Sequence, residues 1–166
     1  MAGSQADIHS VTMINLFLAN ETATLNIGRQ LAAQLMPGLV IFLHGDLGAG
    51  KTTLVRGVLR GLHYSGRVKS PTYTLVESYN ASSLYLYHFD LYRFKDEREW
   101  LDAGFNEIFS ADNICLVEWP ERAENLLPSA DVNIHLSVHD EGRRVTITSA
   151  KIDLKKLHAA WLAHNV

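Results

Sequence analysis

The segment Gly45-Asp46-Leu47-Gly48-Ala49-Gly50-Lys51-Thr52 fits the pattern G-x-x-x-x-G-K-[ST], and its residue types suit one task, holding a polyphosphate. Successive backbone N–H groups must turn inward to surround the phosphates, and a side chain at Gly45 or Gly50 would hinder that turn or the close approach of the ligand. Gly48 adds further freedom. Lys51 supplies a mobile positive charge to the β and γ phosphates, and the Thr52 hydroxyl is placed to ligate Mg²⁺. Thr53 completes the nucleotide-binding stretch as a structural residue. The implied cofactors are ATP and Mg²⁺.

Mg²⁺ takes an octahedron of oxygens, so a carboxylate is expected near such a loop, commonly where a neighbouring apolar strand ends. Glu118 follows the apolar run Ile114 to Val117 and fits that place, with Glu standing where Asp is more usual. Asp90 ends another apolar run in His88-Phe89-Asp90-Leu91-Tyr92-Arg93 and could order the attacking water or a metal-bound water. Ser70-Pro71-Thr72-Tyr73-Thr74 is a hydroxyl-rich loop, suited either to sensing the γ phosphate or to a plain turn at Pro71. His135 and His139 are four apart, but their alternating surroundings read as a strand, where four residues span about 13 Å, too far to share one ion. Cys115 is the single cysteine, excludes an internal disulfide, and reads as a small buried hydrophobe.

The elements that would position these groups are legible in the hydrophobic pattern. Ile14 to Leu18 reads as a strand, and Asn20 can cap a helix in which Ala23, Ile27, Leu31 and Leu35 recur on one face until Pro37 and Gly38 stop it. Five apolar residues, Leu39 to Leu43, then suggest a parallel strand covered on both faces, leading directly into the glycine-rich loop. Thr53 to Leu62 can form the following helix. Tyr73 to Tyr79 and Ser83 to Phe89 read as an antiparallel pair, and the charged stretch Arg93 to Glu107 as a short exposed helix and a loop. Near the end, Val132 to Val138 and Val145 to Ile147 alternate about the turn residues Asp140 to Gly142, which predicts a hairpin, and Asp153 caps a last helix. The pattern predicts an α/β fold: a P-loop NTPase-like sheet with parallel core strands flanked by antiparallel strands. Residues 1–12 are expected to be a flexible tail and 13–166 a single domain.

Composition narrows the functional classes. The 166 residues are 47% hydrophobic, enough for one core, and the net charge of −3 has the wrong sign for a protein whose main task is to coat nucleic acid. No apolar run approaches the roughly 18 to 20 residues needed to cross a bilayer, and Met1 to Ala6 lacks the charge and apolar pattern of a signal sequence. A soluble, cytoplasmic protein with no membrane contact is expected.

Four segments together, Gly45 to Thr53, Ser70 to Glu77, His88 to Arg93 and Leu116-Val117-Glu118-Trp119-Pro120, resemble the bacterial tRNA threonylcarbamoyladenosine biosynthesis ATPases of the TsaE (YjeE) family. The resemblance spans roughly residues 15 to 150 in order and spacing. It implies an ATPase that works with the partner proteins TsaD and TsaB in adding a threonylcarbamoyl group to the tRNA adenosine beside the anticodon, with tRNA contacted indirectly through the complex. Carried over by motif, it implies that Lys51 binds phosphate, Thr52 and Glu118 hold Mg²⁺, and Asp90 and Thr72 serve hydrolysis or nucleotide sensing. Trp119 falls in the functional region without an assignable role. On residues alone two rivals stand beside this reading. A small-molecule kinase would use the same phosphate cradle and need a lid, for which Arg93 to Glu107 is the only candidate. A non-catalytic nucleotide sensor would bind without turnover.

Overall fold

The computed structural model describes residues 11–165, and all its strands join one sheet. In chain order the elements are β1 (Met13–Leu18), α1 (Glu21–Ala32), β2 (Val40–His44), α2 (Lys51–Gly61), β3 (Val76–Ala81), β4 (Leu84–Asp90), α3 (Glu97–Asp102), α4 (Phe105–Ile108), β5 (Asn113–Glu118), β6 (Val132–His139), β7 (Gly142–Ser149) and α5 (Leu154–Asn165), with a 3₁₀ turn over Pro120–Ala123. The sheet order is β1-β7-β6-β2-β5-β4-β3. The four central strands β6, β2, β5 and β4 are parallel, while β7 and β1 on one side and β3 on the other pair antiparallel. The α/β class with a parallel core and antiparallel flanks is therefore the observed fold.

Strand alternation divides the core in two. Ile114 and Leu116 of β5 face the layer of α1, α2 and α5, whereas Cys115 and Val117 face α3, α4 and the 3₁₀ turn. On α2, Leu54, Val55, Val58 and Leu59 are fully buried, each contributing about 1.5–3 kcal/mol of apolar burial, so the helix that begins at the glycine-rich loop is firmly held. Its neighbour α1 starts at Asn20, whose side chain accepts from Ala23 N at 2.9 Å as the sequence suggested.

Three elements differ most from the sequence reading. Helix α1 ends at Ala32 rather than at Pro37, because the next amides bond three residues back, Gln34 N to Leu31 O at 2.9 Å and Leu35 N to Ala32 O at 3.3 Å, in tighter turns. The strand expected from Tyr73 begins only at Val76. Leu75 takes a left-handed φ of 67° and its N–H returns to Pro71 O at 2.8 Å, so the chain turns before it can pair. The charged stretch forms two short helices rather than one exposed helix and a loop. Trp100 is fully buried between them and the sheet, stacked at 6.0 Å on Phe89, with its Nε1 donating to Asn106 Oδ1 at 2.7 Å. Of the tail expected over residues 1–12, residues 1–10 lie outside the described residues, and Thr12 O accepts from Ser149 N at 3.1 Å. Among the described residues no helix is long and apolar enough to cross a membrane.

Helices α1 and α2 approach so closely that glycine is required at the crossing. A Cβ on Gly57 would stand 2.3 Å from Leu25 O, and one on Gly28 would stand 2.4 Å from Leu54 O, both backbone atoms that cannot yield alone. Gly57→Ala is expected to cost about 1–3 kcal/mol through forced separation of the helices, despite alanine's better helix propensity. At this chain length that lowers the unfolding midpoint by about 2–4 °C for each kcal/mol. Thermal unfolding checks it, and a midpoint equal to the parent's would show that the crossing is not tight.

Candidate functional site

The glycine-rich loop leaves β2 at His44 and enters α2 at Lys51. Gly45 and Gly50 have φ of 149° and 107°, and a Cβ on Gly45 would meet Leu136 O at 2.5 Å, so the loop turns hard against β6 before rising over the helix. Gly50 occupies the N-cap of α2 without a side chain to bond the first amides, leaving them to an incoming anion, towards which the positive end of the helix dipole also points.

Because β2, β5 and β4 are parallel and neighbouring, their carboxyl ends lie side by side. Leu43 pairs with Glu118, and Glu118 pairs with Asp90. A cleft of about 290 Å³ opens there, lined by Leu47, Gly48, Gly50, Lys51, Thr52, Thr53, Ser70, Thr72, Asp90, Glu118 and Trp119. Four stretches separated in sequence are thus brought together. Gly45, Asp46 and Ala49 do not line the cleft. Asp46 is exposed and its carbonyl accepts from Ala49 N at 3.1 Å, while Ala49 is buried and shapes the loop from behind.

Within the cleft, Thr52 Oγ1 donates to Glu118 Oε2 at 3.2 Å. Glu118 is only 3% exposed, so it is a buried acid rather than a solvated strand end. Its Oε2 also receives the Nε2 of His88 at 2.5 Å, a contact the sequence reading missed. Lys51 Nζ donates to Gly45 O and lies 3.8 Å from the centre of the Trp119 ring. Burial pushes the Lys51 ammonium below its ordinary pKa, against the opposing pull of Glu118 and Asp90. Asp90 accepts from Tyr92 N at 3.1 Å, and burial raises its carboxyl above the ordinary range more than that bond lowers it. Thr72 shares a hydrogen bond of 2.8 Å with Ser70, and the backbone joins this loop to β4 through Asp90 N and Leu75 O at 2.9 Å.

Trp119 follows Glu118 in a left-handed conformation, φ 57° and ψ 50°, which turns its ring back over Lys51. Tyr92 lies 5.0 Å from that ring and Arg122 5.4 Å from Tyr92. Nothing in the residue pattern announces this turn. Outside the cleft, His135 lies on β6 with His139, and it stacks on His44 at 4.2 Å. Among the described residues no group of three or more His, Cys, Asp and Glu converges as a metal site. Cys115 is buried and its thiol is pushed up to about 12 by burial.

A family model described as threonylcarbamoyl adenosine biosynthesis protein TsaE matches residues 18–146. The tRNA threonylcarbamoyladenosine biosynthesis protein TsaE of Haemophilus influenzae is 42% identical over 136 residues, covering 79% of this chain and 86% of that protein. Its Bacillus subtilis namesake is 42% identical over 131 residues, covering 78% and 82%. Among solved structures, Bacillus subtilis YdiB superposes with a TM-score of 0.73 at 32% identity, covering 94% of this chain and 98% of that one.

The raised carboxyl of Asp90 yields a stability prediction. A folded-state pKa above the unfolded 3.8 means that the fold binds this proton more tightly than the unfolded chain does. That contribution is present in acid and is lost as pH rises through the folded pKa, so at neutral pH the ionised group weighs against folding. Asp90→Asn is expected to raise the nucleotide-free unfolding midpoint at pH 7.5, with the gain shrinking below pH 4. Unfolding curves at the two pH values check it, and a midpoint lowered at pH 7.5 would overturn the account.

Proposed function

The chain belongs to the family of threonylcarbamoyl adenosine biosynthesis proteins TsaE, and from that premise we propose that it binds and hydrolyses Mg-ATP within the machinery that makes this tRNA modification. The observation that carries the proposal is the convergence of Lys51, Thr52, Thr72, Asp90 and Glu118 on one cleft at the N-terminus of α2.

The residues fit Mg²⁺ by their chemistry. Thr52 and Glu118 present oxygens only, within hydrogen-bond reach of each other, and among the described residues that line the cleft there is no thiolate or imidazole to compete for a softer metal. Thr52 and Glu118 would hold the ion, whose chemistry there would be to neutralise the charge that develops on the phosphates. Thr52 would keep its proton on Glu118 and turn a lone pair to the ion. Lys51 would leave Gly45 O and the Trp119 face to meet the phosphates. Asp90, held through Tyr92 N, would orient a water in line with the γ phosphorus, and its raised pKa brings it nearer to proton exchange than a solvated aspartate. Thr72 and Ser70, which also line the cleft, would sense the γ phosphate. A second cleft of about 410 Å³ adjoins Gly48 and Gly50 between α1 and the β6–β7 turn, lined also by Arg56 and Arg143, and offers room for base and ribose.

The kinase reading loses its lid, since the stretch from Arg93 to Glu107 is anchored through Phe94, Trp100 and Phe105 in the core on the face away from α2. The sensor reading differs only in turnover. We place the catalyst in the cytoplasm, acting with TsaD and TsaB and reaching tRNA through them.

Phosphate release from ATP with and without Mg²⁺, for the chain alone and with TsaD and TsaB, tests the proposal. Mg²⁺-dependent release that the pair stimulates is expected. Lys51→Ala should abolish it, and Asp90→Asn should lower it by about 10²- to 10⁴-fold, as loss of general-base assistance does. Nucleotide binding without release in either setting would favour the sensor.

A further inference from the structure

His88 is fully buried in the central layer of the sheet, and one of its ring nitrogens makes no hydrogen bond among the described residues. An aliphatic side chain would fill that position without a polar atom to desolvate, so the ring demands an explanation. Its one hydrogen-bond partner among the described residues is Glu118. In the parallel ladder His88 pairs with Leu116 and Asp90 with Glu118, which puts His88, Asp90 and Glu118 on the same face as the start of α2, with the imidazole diagonal to the carboxylate. The contact is Nε2 to Oε2 at 2.5 Å. An ionised carboxylate only accepts, so Nε2 carries the proton and donates, and the ring nitrogen left without a partner is Nδ1.

Oε2 thereby receives two donors, the imidazole from behind and the Thr52 hydroxyl from the cleft side. A glutamate has one more rotatable bond than the aspartate common at such a place, and it needs an added restraint to hold one orientation. We propose that His88 is a positioning residue for the cation site: it fixes Oε2 of Glu118, orients the Thr52 hydroxyl through that oxygen, and turns Oε1 towards the cleft for the ion or its water. The proposal rests on the reading of the cleft as a Mg-nucleotide site. It makes His88 part of the metal's surroundings although it touches neither metal nor substrate. Outer partners of metal-binding carboxylates act in this way, and their loss costs about 10- to 100-fold in metal affinity.

The test separates metal from nucleotide. ADP affinity is measured by calorimetry in EDTA and across a Mg²⁺ titration, for the wild type, His88→Phe and His88→Gln. The phenylalanine keeps ring volume without the donor, and the glutamine keeps a donor without the ring. The expected result is a rise of about 10- to 100-fold in the Mg²⁺ needed for half-saturation in His88→Phe, unchanged ADP affinity in EDTA, and substantial recovery in His88→Gln. Equal Mg²⁺ requirements in all three proteins, or an equal loss of ADP affinity in EDTA, would overturn the role. Should His88→Phe fail to fold, an Mg²⁺ requirement raised in His88→Ala and recovered in His88→Gln supports the role, and equal requirements overturn it. Nitrogen NMR of the wild-type imidazole reads the geometry without any ligand: protonated Nε2 with bare Nδ1 supports the arrangement, and the opposite tautomer refutes it. A wild type whose ADP affinity ignores Mg²⁺ removes the reading of the cleft as a cation site, and the positioning role with it, even where the tautomer is as expected.

Discussion

Parallel pairing of β2 with β5, and of β5 with β4, is the constraint on which the cleft depends. Parallel strands end at the same edge, so a loop leaving β2, an acid ending β5 and an acid ending β4 must become neighbours, in the ladder Leu43–Glu118–Asp90. The same pairing buries the strands on both faces, which is why β5 is apolar from Ile114 to Val117 and carries a carboxylate only at its last residue. The α1–α2 crossing at Gly28 and Gly57 is the matching constraint on the helix side. It fixes how close α2 lies and therefore where Thr52 stands relative to Glu118.

That edge gathers one cation and two carboxylates in partly desolvated surroundings, and Lys51 and Asp90 respond in the direction burial dictates. Lys51 is pulled down and Asp90 is pushed up, the carboxylates and the ammonium only partly restoring each other. Charges held in a poorly solvated cleft act on a ligand more strongly than charges in water, and the fold bears the desolvation before any ligand arrives. Glu118 differs from Lys51 and Asp90 in receiving two donors, Thr52 and His88, on one oxygen.

How much of this could be read from residues alone depended on whether the cause was local. The Asn20 cap, the Asp140–Gly142 turn, the apolar strands and the glycine-rich loop each have causes within a few residues, and they were legible. Glu118 and Asp90 were singled out because a charge directly after an apolar run is conspicuous. Trp100 misled because acidic and basic neighbours surround it in sequence while Phe89, Phe94, Phe105 and Phe109 surround it in space. His88 was invisible for a related reason. Only the two-residue strand spacing to Asp90 hinted at a shared face, and its partner lies 30 positions away across the ladder.

Trp119 shows how one unfavourable backbone setting can serve the cleft. A left-handed conformation at a tryptophan costs on the order of 1–2 kcal/mol, and it lets Pro120 begin the 3₁₀ turn while the ring folds back over Lys51. The ring returns part of that cost by facing the ammonium at 3.8 Å, a contact worth about 0.5–2 kcal/mol. The same contact, with Gly45 O, occupies the lysine that the phosphates would need. On the proposed reading an incoming polyphosphate would have to compete with a ring and a carbonyl for Lys51, helped by simultaneous engagement of the helix terminus and the loop amides. These neutral partners of a desolvated cation would then act as a threshold: a ligand too short to reach both the α2 terminus and Lys51 would gain less than an extended polyphosphate that reaches both.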